Sequence, residues 1–107
     1  MIHKMRLVDS AFNAIKNKEK DIEIRLNDEK RQLLNVGDII EFHHIDTDEI
    51  LRVEVINLHK FKTFKELFDA FDHKRLGCID NEDYTTMNQF YSKEEQDKYG
   101  ALGIEIK

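Results

Sequence analysis

Between Asp21 and Leu26, apolar and charged side chains alternate without interruption: Ile22, Ile24 and Leu26 on one side, Asp21, Glu23 and Arg25 on the other. A period of two marks a half-buried β-strand, and it returns in Leu51, Val53 and Val55 and again in Leu102, Ile104 and Ile106. Strands are also expected over residues 2–7, where Met5 and Leu7 alternate, and over 39–45, after a Val36-Gly37-Asp38 turn. The strand over 50–58 follows a turn at Asp46-Thr47-Asp48. Five strands joined by short helices, without regular βαβ alternation, imply an α+β fold on a mixed, mostly antiparallel sheet. Five or six such strands form a small barrel when the sheet curls to remove its edges. Ile22, Ile24, Leu26, Val53, Val55, Leu102, Ile104 and Ile106 are expected to face inward.

The helices are short. Asp9 or Ser10 is expected to cap one that turns Ala11, Phe12 and Ile15 inward, and Asn27 one over 28–34. Thr63-Phe64-Lys65-Glu66 reads as a capping box, opening a helix whose Phe64, Leu67, Phe68 and Phe71 fall on one stripe over a barrel opening. Residues 81–90 read as mostly helical. Ser92-Lys93-Glu94-Glu95 is a second capping box, whose helix Gly100 is placed to stop.

At 107 residues the chain has the length of one domain, 1–107, and seven Phe and three Tyr supply enough apolar bulk for a core. No apolar run nears the length of a membrane span and no leader-like segment opens the sequence, so a cytoplasmic location is expected. The formal charge of −5 excludes a bulk DNA coater. The charge is uneven: residues 1–36 carry eight basic against six acidic side chains, and the remainder nine against sixteen. An anion-binding surface therefore belongs to the first third of the chain.

Several apparent sites carry no chemistry. Residues 72–83 imitate a calcium loop, with Asp72, Gly77, Ile79 and Asp83 in register, but Lys74 and Leu76 stand where oxygen ligands are required. His43 and His44 are strand neighbours and point to opposite faces, so they do not chelate one metal; one is expected near the core and the other in solvent. Cys78, the single cysteine, reads as a buried or half-buried thiol. No metal and no cofactor are expected. The informative stretch is Lys18 to Arg25. Lys20 ends a turn, and Glu23 and Arg25 share one strand face, which suits phosphate or base-edge recognition. The plainer alternative is a solvated Glu23–Arg25 pair worth about 0–1 kcal/mol.

Lys20, Glu23 and Arg25 fit the Gly-x-Lys-x-x-Glu-x-Arg signature of the ASCH (activating signal cointegrator homology) family, which this chain resembles. Phe12 and Ile15 ahead of the signature, Arg25 to Gln32, Val36 to Phe42, Phe64 to Phe71 and the ending from Tyr91 to Ile106 are similar to small prokaryotic members as well. Lys18 departs from the pattern: the family glycine would supply a positive φ there, a conformation also open to Asn17. The resemblance implies a PUA-like β-barrel with a signature-lined cleft that binds RNA or a nucleotide. Lys20, Glu23 and Arg25 would hold the ligand, with Tyr91, Ser92 and Tyr99 arriving from the C-terminal region. It also implies an alternative, a small amidohydrolase acting on acetylated cytidine-type nucleosides, or a ribonuclease. In either enzyme Lys20 and Glu23 would be catalytic, although Glu23 stands where the amidohydrolases carry a nucleophilic Thr. A third class, a protein-interaction module using the acidic helices, predicts no basic patch near the cleft.

Overall fold

The computed structural model describes residues 1–77 and 83–107; Cys78 and the middle of the calcium-like loop lie outside them. Among the described residues five strands form: β1 (Ile2–Leu7), β2 (Ile22–Leu26), β3 (Ile39–His44), β4 (Ile50–Phe61) and β5 (Ala101–Ile106). Their order in the sheet is β1-β3-β4-β5-β2. The β1–β3 pair is parallel and the other three pairs are antiparallel. The sheet curls into an open half-barrel rather than a closed barrel of up to six strands, and β1 and β2 are its edges.

Register decides which side chains lie within the curl. Residues opposite one another in an antiparallel pair share a face, and Glu23 and Arg25 lie opposite Ile104 and Leu102. Leu102, Ile104 and Ile106 join Val53, Val55, Ile40 and Phe42 in the inner cluster, with Phe12 and Ile15 from helix α1 (Asp9–Lys16). Ile22 and Leu26, with Ile24 packed beside them, belong to a second cluster with Phe64, Leu67 and Phe68 of helix α2 (Phe64–Ala70). Two parts of the sequence reading are thus corrected. The apolar side of β2 faces outward onto α2, and the stripe on α2 covers the outer face of β2 and β5 instead of a barrel opening. Gly103 permits that contact, since a Cβ there would lie 3.3 Å from Ile22 and 3.5 Å from Leu67. In β4, a register shift between Val55 and Asn57 turns both Val55 and Leu58 toward the inner cluster.

Local capping explains the shorter elements. Thr63 accepts from the Glu66 amide at 3.1 Å. α2 stops at Ala70, leaving Phe71 extended and edge-on to Phe61 and His59. Ser92 opens α3 (Lys93–Tyr99) with both halves of its capping box formed, and Gly100 ends it. α1 begins without a side-chain cap, so neither Asp9 nor Ser10 plays that part; Asp9 instead pairs with buried His44 at 2.8 Å, while His43 is half-buried on the opposite face. The expected helix over 28–34 shrinks to a 3₁₀ turn at Arg31–Leu33, and the helical stretch before Phe90 is a 3₁₀ segment at Tyr84–Gln89. Among the described residues no helix is long and apolar enough to cross a membrane.

Candidate functional site

The turn that enters β2 is held by the Ala14 carbonyl, which accepts from the amides of Glu19 (2.9 Å) and Lys20 (3.1 Å). Lys18 itself takes the left-handed conformation, with φ 63°, while Asn17 sits at φ −84°. The residue that replaces glycine therefore adopts the glycine geometry, against a steric penalty of roughly 1–2 kcal/mol. Lys18→Gly should raise stability by about 0.5–1 kcal/mol, because relieved strain exceeds the added chain entropy; denaturant unfolding measures it.

That turn delivers Lys20 into the protein. Its side chain is 8% exposed and crosses Gly77, where a Cβ would lie 2.7 Å from the Lys20 Cδ. Gly77, at φ 75°, is thus doubly constrained. The Lys20 Nζ donates to the Leu76 carbonyl at 2.9 Å and lies 3.2 Å from Glu23 Oε1. Arg25 Nε donates to Glu23 Oε2 at 2.7 Å. Glu23, 5% exposed, is thus gripped at both oxygens by cations. Burial alone would push its carboxyl up; the adjacent Lys20 and Arg25 charges and their hydrogen bonds overturn that and hold it below the usual glutamate value. The plain alternative of a solvated surface pair is therefore corrected: this is a buried Lys–Glu–Arg cluster. Arg25 also reaches across the open side of the sheet, its Nη2 donating to the Arg6 carbonyl of β1 at 2.9 Å. One guanidinium ties the two sheet edges together.

The cluster lines a cleft of about 1140 Å³, with Arg6, Glu19 and Lys74 also charged in its lining. Phe68, Leu76, Met87, Phe90 and Tyr91 supply apolar and aromatic surface to the same cleft. Tyr91 stacks on Phe64 with ring centroids 5.8 Å apart and planes at 7°. Phe90 stands beside it and is 66% exposed. Of the residues singled out in the sequence, Lys20, Glu23, Arg25 and Tyr91 share this cleft. Ser92 is occupied in capping α3, and the Tyr99 hydroxyl donates to Glu29 at 3.1 Å; neither lines the cleft. Arg6 and Phe90 line it without having been singled out.

The ASCH domain profile matches residues 5–107. The chain belongs to the ASCH domain family. The crystal structure of hypothetical protein PH0355 superposes with a TM-score of 0.86 at 31% identity, covering 100% of this chain and 98% of that one. The solution structure of protein PF0455 from Pyrococcus furiosus gives 0.78 at 29% identity, covering 100% and 96%. No curated protein matches this ASCH domain.

Proposed function

We propose that this ASCH domain binds a nucleotide unit of RNA in the cleft, its base against Phe90 and Tyr91 and its phosphate or base edge on Arg25 and Lys20. One juxtaposition carries the reading: an exposed aromatic ring, Phe90, lines the same cleft as a pair of cations held in place by Glu23. Stacking tolerates any base, while cation donors select anionic or carbonyl oxygens. Arg25 Nη1 has no partner among the described residues. Glu23 serves by holding Lys20 and Arg25 in place, so that they meet a ligand without reorganising.

The hydrolase alternative gains no support from this geometry. A carboxylate held ionised by two cations is a weak proton acceptor, and residue 23 has no hydroxyl to act as nucleophile.

The direct test is calorimetric titration with a nucleoside, a 5′-mononucleotide and a short single-stranded RNA. Phe90→Ala should weaken nucleotide binding by about 1–3 kcal/mol, the worth of one base–aromatic stack, and leave the melting temperature unchanged because the ring is exposed. Nucleotide affinity that ignores this substitution would overturn the reading.

A further inference from the structure

A second groove opens beside the cleft and shares two of its walls, Arg6 and Arg25. It is lined by Lys4, Met5, Arg6, Arg25, Lys30, Arg31 and His43, with no acidic side chain among the described residues. Five fixed cations, of which Arg25 is already paired with Glu23, thus gather on one strip of a chain whose formal charge is −5. Topology brings them together. Lys4 and Arg6 occupy the same face of edge strand β1, two residues apart, so their Cα atoms are roughly 6.6 Å from each other. Arg31 opens the 3₁₀ turn after β2 and Lys30 precedes it, and Arg25 reaches from β2 to the Arg6 carbonyl of β1.

Among the described residues the acids nearest this strip are Glu23, already paired with Arg25 at 2.7 Å, and Glu41 and Asp28. Glu41, opposite Lys4 in the β1–β3 register, bonds Arg52 at 3.0 Å and His43 at 3.1 Å. Asp28 caps the Arg31 amide at 3.0 Å and reaches the Arg31 guanidinium only at 3.9 Å. The Arg31 Nε is buried without a hydrogen-bond partner among the described residues. A buried guanidinium donor is seldom left unused, and here it borders a groove with an excess of positive charge.

Resting on the cleft reading, we infer that this groove carries the sugar-phosphate backbone of a single strand continuing out of the cleft, so that the ligand is an oligonucleotide rather than a free mononucleotide. Arg25 joins the two parts: its Nε is anchored to Glu23 inside, while its outer face borders both cleft and groove. Cations strung along a strip suit a chain of phosphates, whereas a single nucleotide would occupy only the cleft end.

The test uses the Lys4→Gln/Lys30→Gln double variant, both residues being exposed. Affinity is measured across a salt series for a 5′-mononucleotide and for a single-stranded RNA of roughly eight nucleotides, a length typical of such sites. The wild type should bind the oligonucleotide at least about ten-fold more tightly at low salt. The double variant should lose most of that margin, and its log K against log salt slope should be shallower by about 1.4, at roughly 0.7 for each lost phosphate contact. Equal affinity and equal salt dependence for the two ligands would overturn the groove while leaving the cleft reading intact. Oligonucleotide binding unmoved by the double variant would overturn it too, as would polyglutamate competing as well as RNA. An oligonucleotide that binds but ignores Phe90→Ala would overturn the cleft reading and the continuity between cleft and groove.

Discussion

Replacing Glu23 by glutamine is expected to cost about 3–5 kcal/mol of folding stability, because it leaves two buried or nearly buried cations without their shared counter-charge. The geometry makes this a large effect: Lys20 and Glu23 are each under 10% exposed, and Glu23 receives contacts at 3.2 and 2.7 Å on its two oxygens. In a domain of this size each kcal/mol moves the midpoint by roughly 4–8 °C, so thermal unfolding should shift by about 12 °C or more. Adding Lys20→Met to Glu23→Leu should recover part of that variant's loss, since the more buried cation goes with the carboxylate and only Arg25 is left without its counter-charge. A midpoint within about 2 °C of wild type for Glu23→Gln would mean that water reaches the cluster and screens it.

The same cluster sets an acid dependence whose sign is fixed. Glu23 titrates lower in the folded protein than its ordinary value of 4.5. Its contribution to stability is therefore fully present above that value and fades as pH falls through the lower, folded-state value. Glu23→Gln removes this part of the acid limb. Asp38 and Glu41 are also held low, first by hydrogen bonds from His3 and His43 respectively, so the variant keeps a residual slope.

The period-two pattern made the strands legible, and the capping signatures at Thr63 and Ser92 located α2 and α3. Parity along one strand separates two faces but does not say which is inside. That depends on β2 pairing with β5 so that Glu23 meets Ile104, a contact between residues 81 positions apart. The signature was visible as chemistry, yet its burial was not, because charged alternation in isolation describes a solvated face. The helix expected over 28–34 failed for want of anything to pack: Leu34 is buried, but Leu33 is 60% exposed. Phe90 escaped notice because an aromatic residue in sequence is taken for core. The groove escaped because Lys4 and Arg6 meet Lys30 and Arg31 only across the curled sheet, although the positive balance of the first 36 residues hinted at it.

The second large effect concerns the outer cluster. Phe68→Ala should cost about 3–5 kcal/mol, the usual loss when a buried phenyl ring is removed and its surroundings collapse only in part. Phe68 is 3% exposed among Ile22, Leu26, Leu67, Leu76 and Met87, and meets His73 edge-on at 5.7 Å. Strand β5 gives Ala101 to this cluster and Leu102, Ile104 and Ile106 to the inner one, so a void on the α2 side weakens a wall that both cores share. Unfolding of the variant should remain a single transition, with the fluorescence of the three tyrosines and far-ultraviolet circular dichroism reporting the same midpoint. A loss below about 1 kcal/mol would show that the α2 stripe is not core. Two separated transitions would mean that α2 and the cleft wall melt before the curled sheet. The aromatic wall of the cleft would then be a fold-independent cover, and nucleotide affinity should collapse in Phe68→Ala at temperatures where the sheet is still intact.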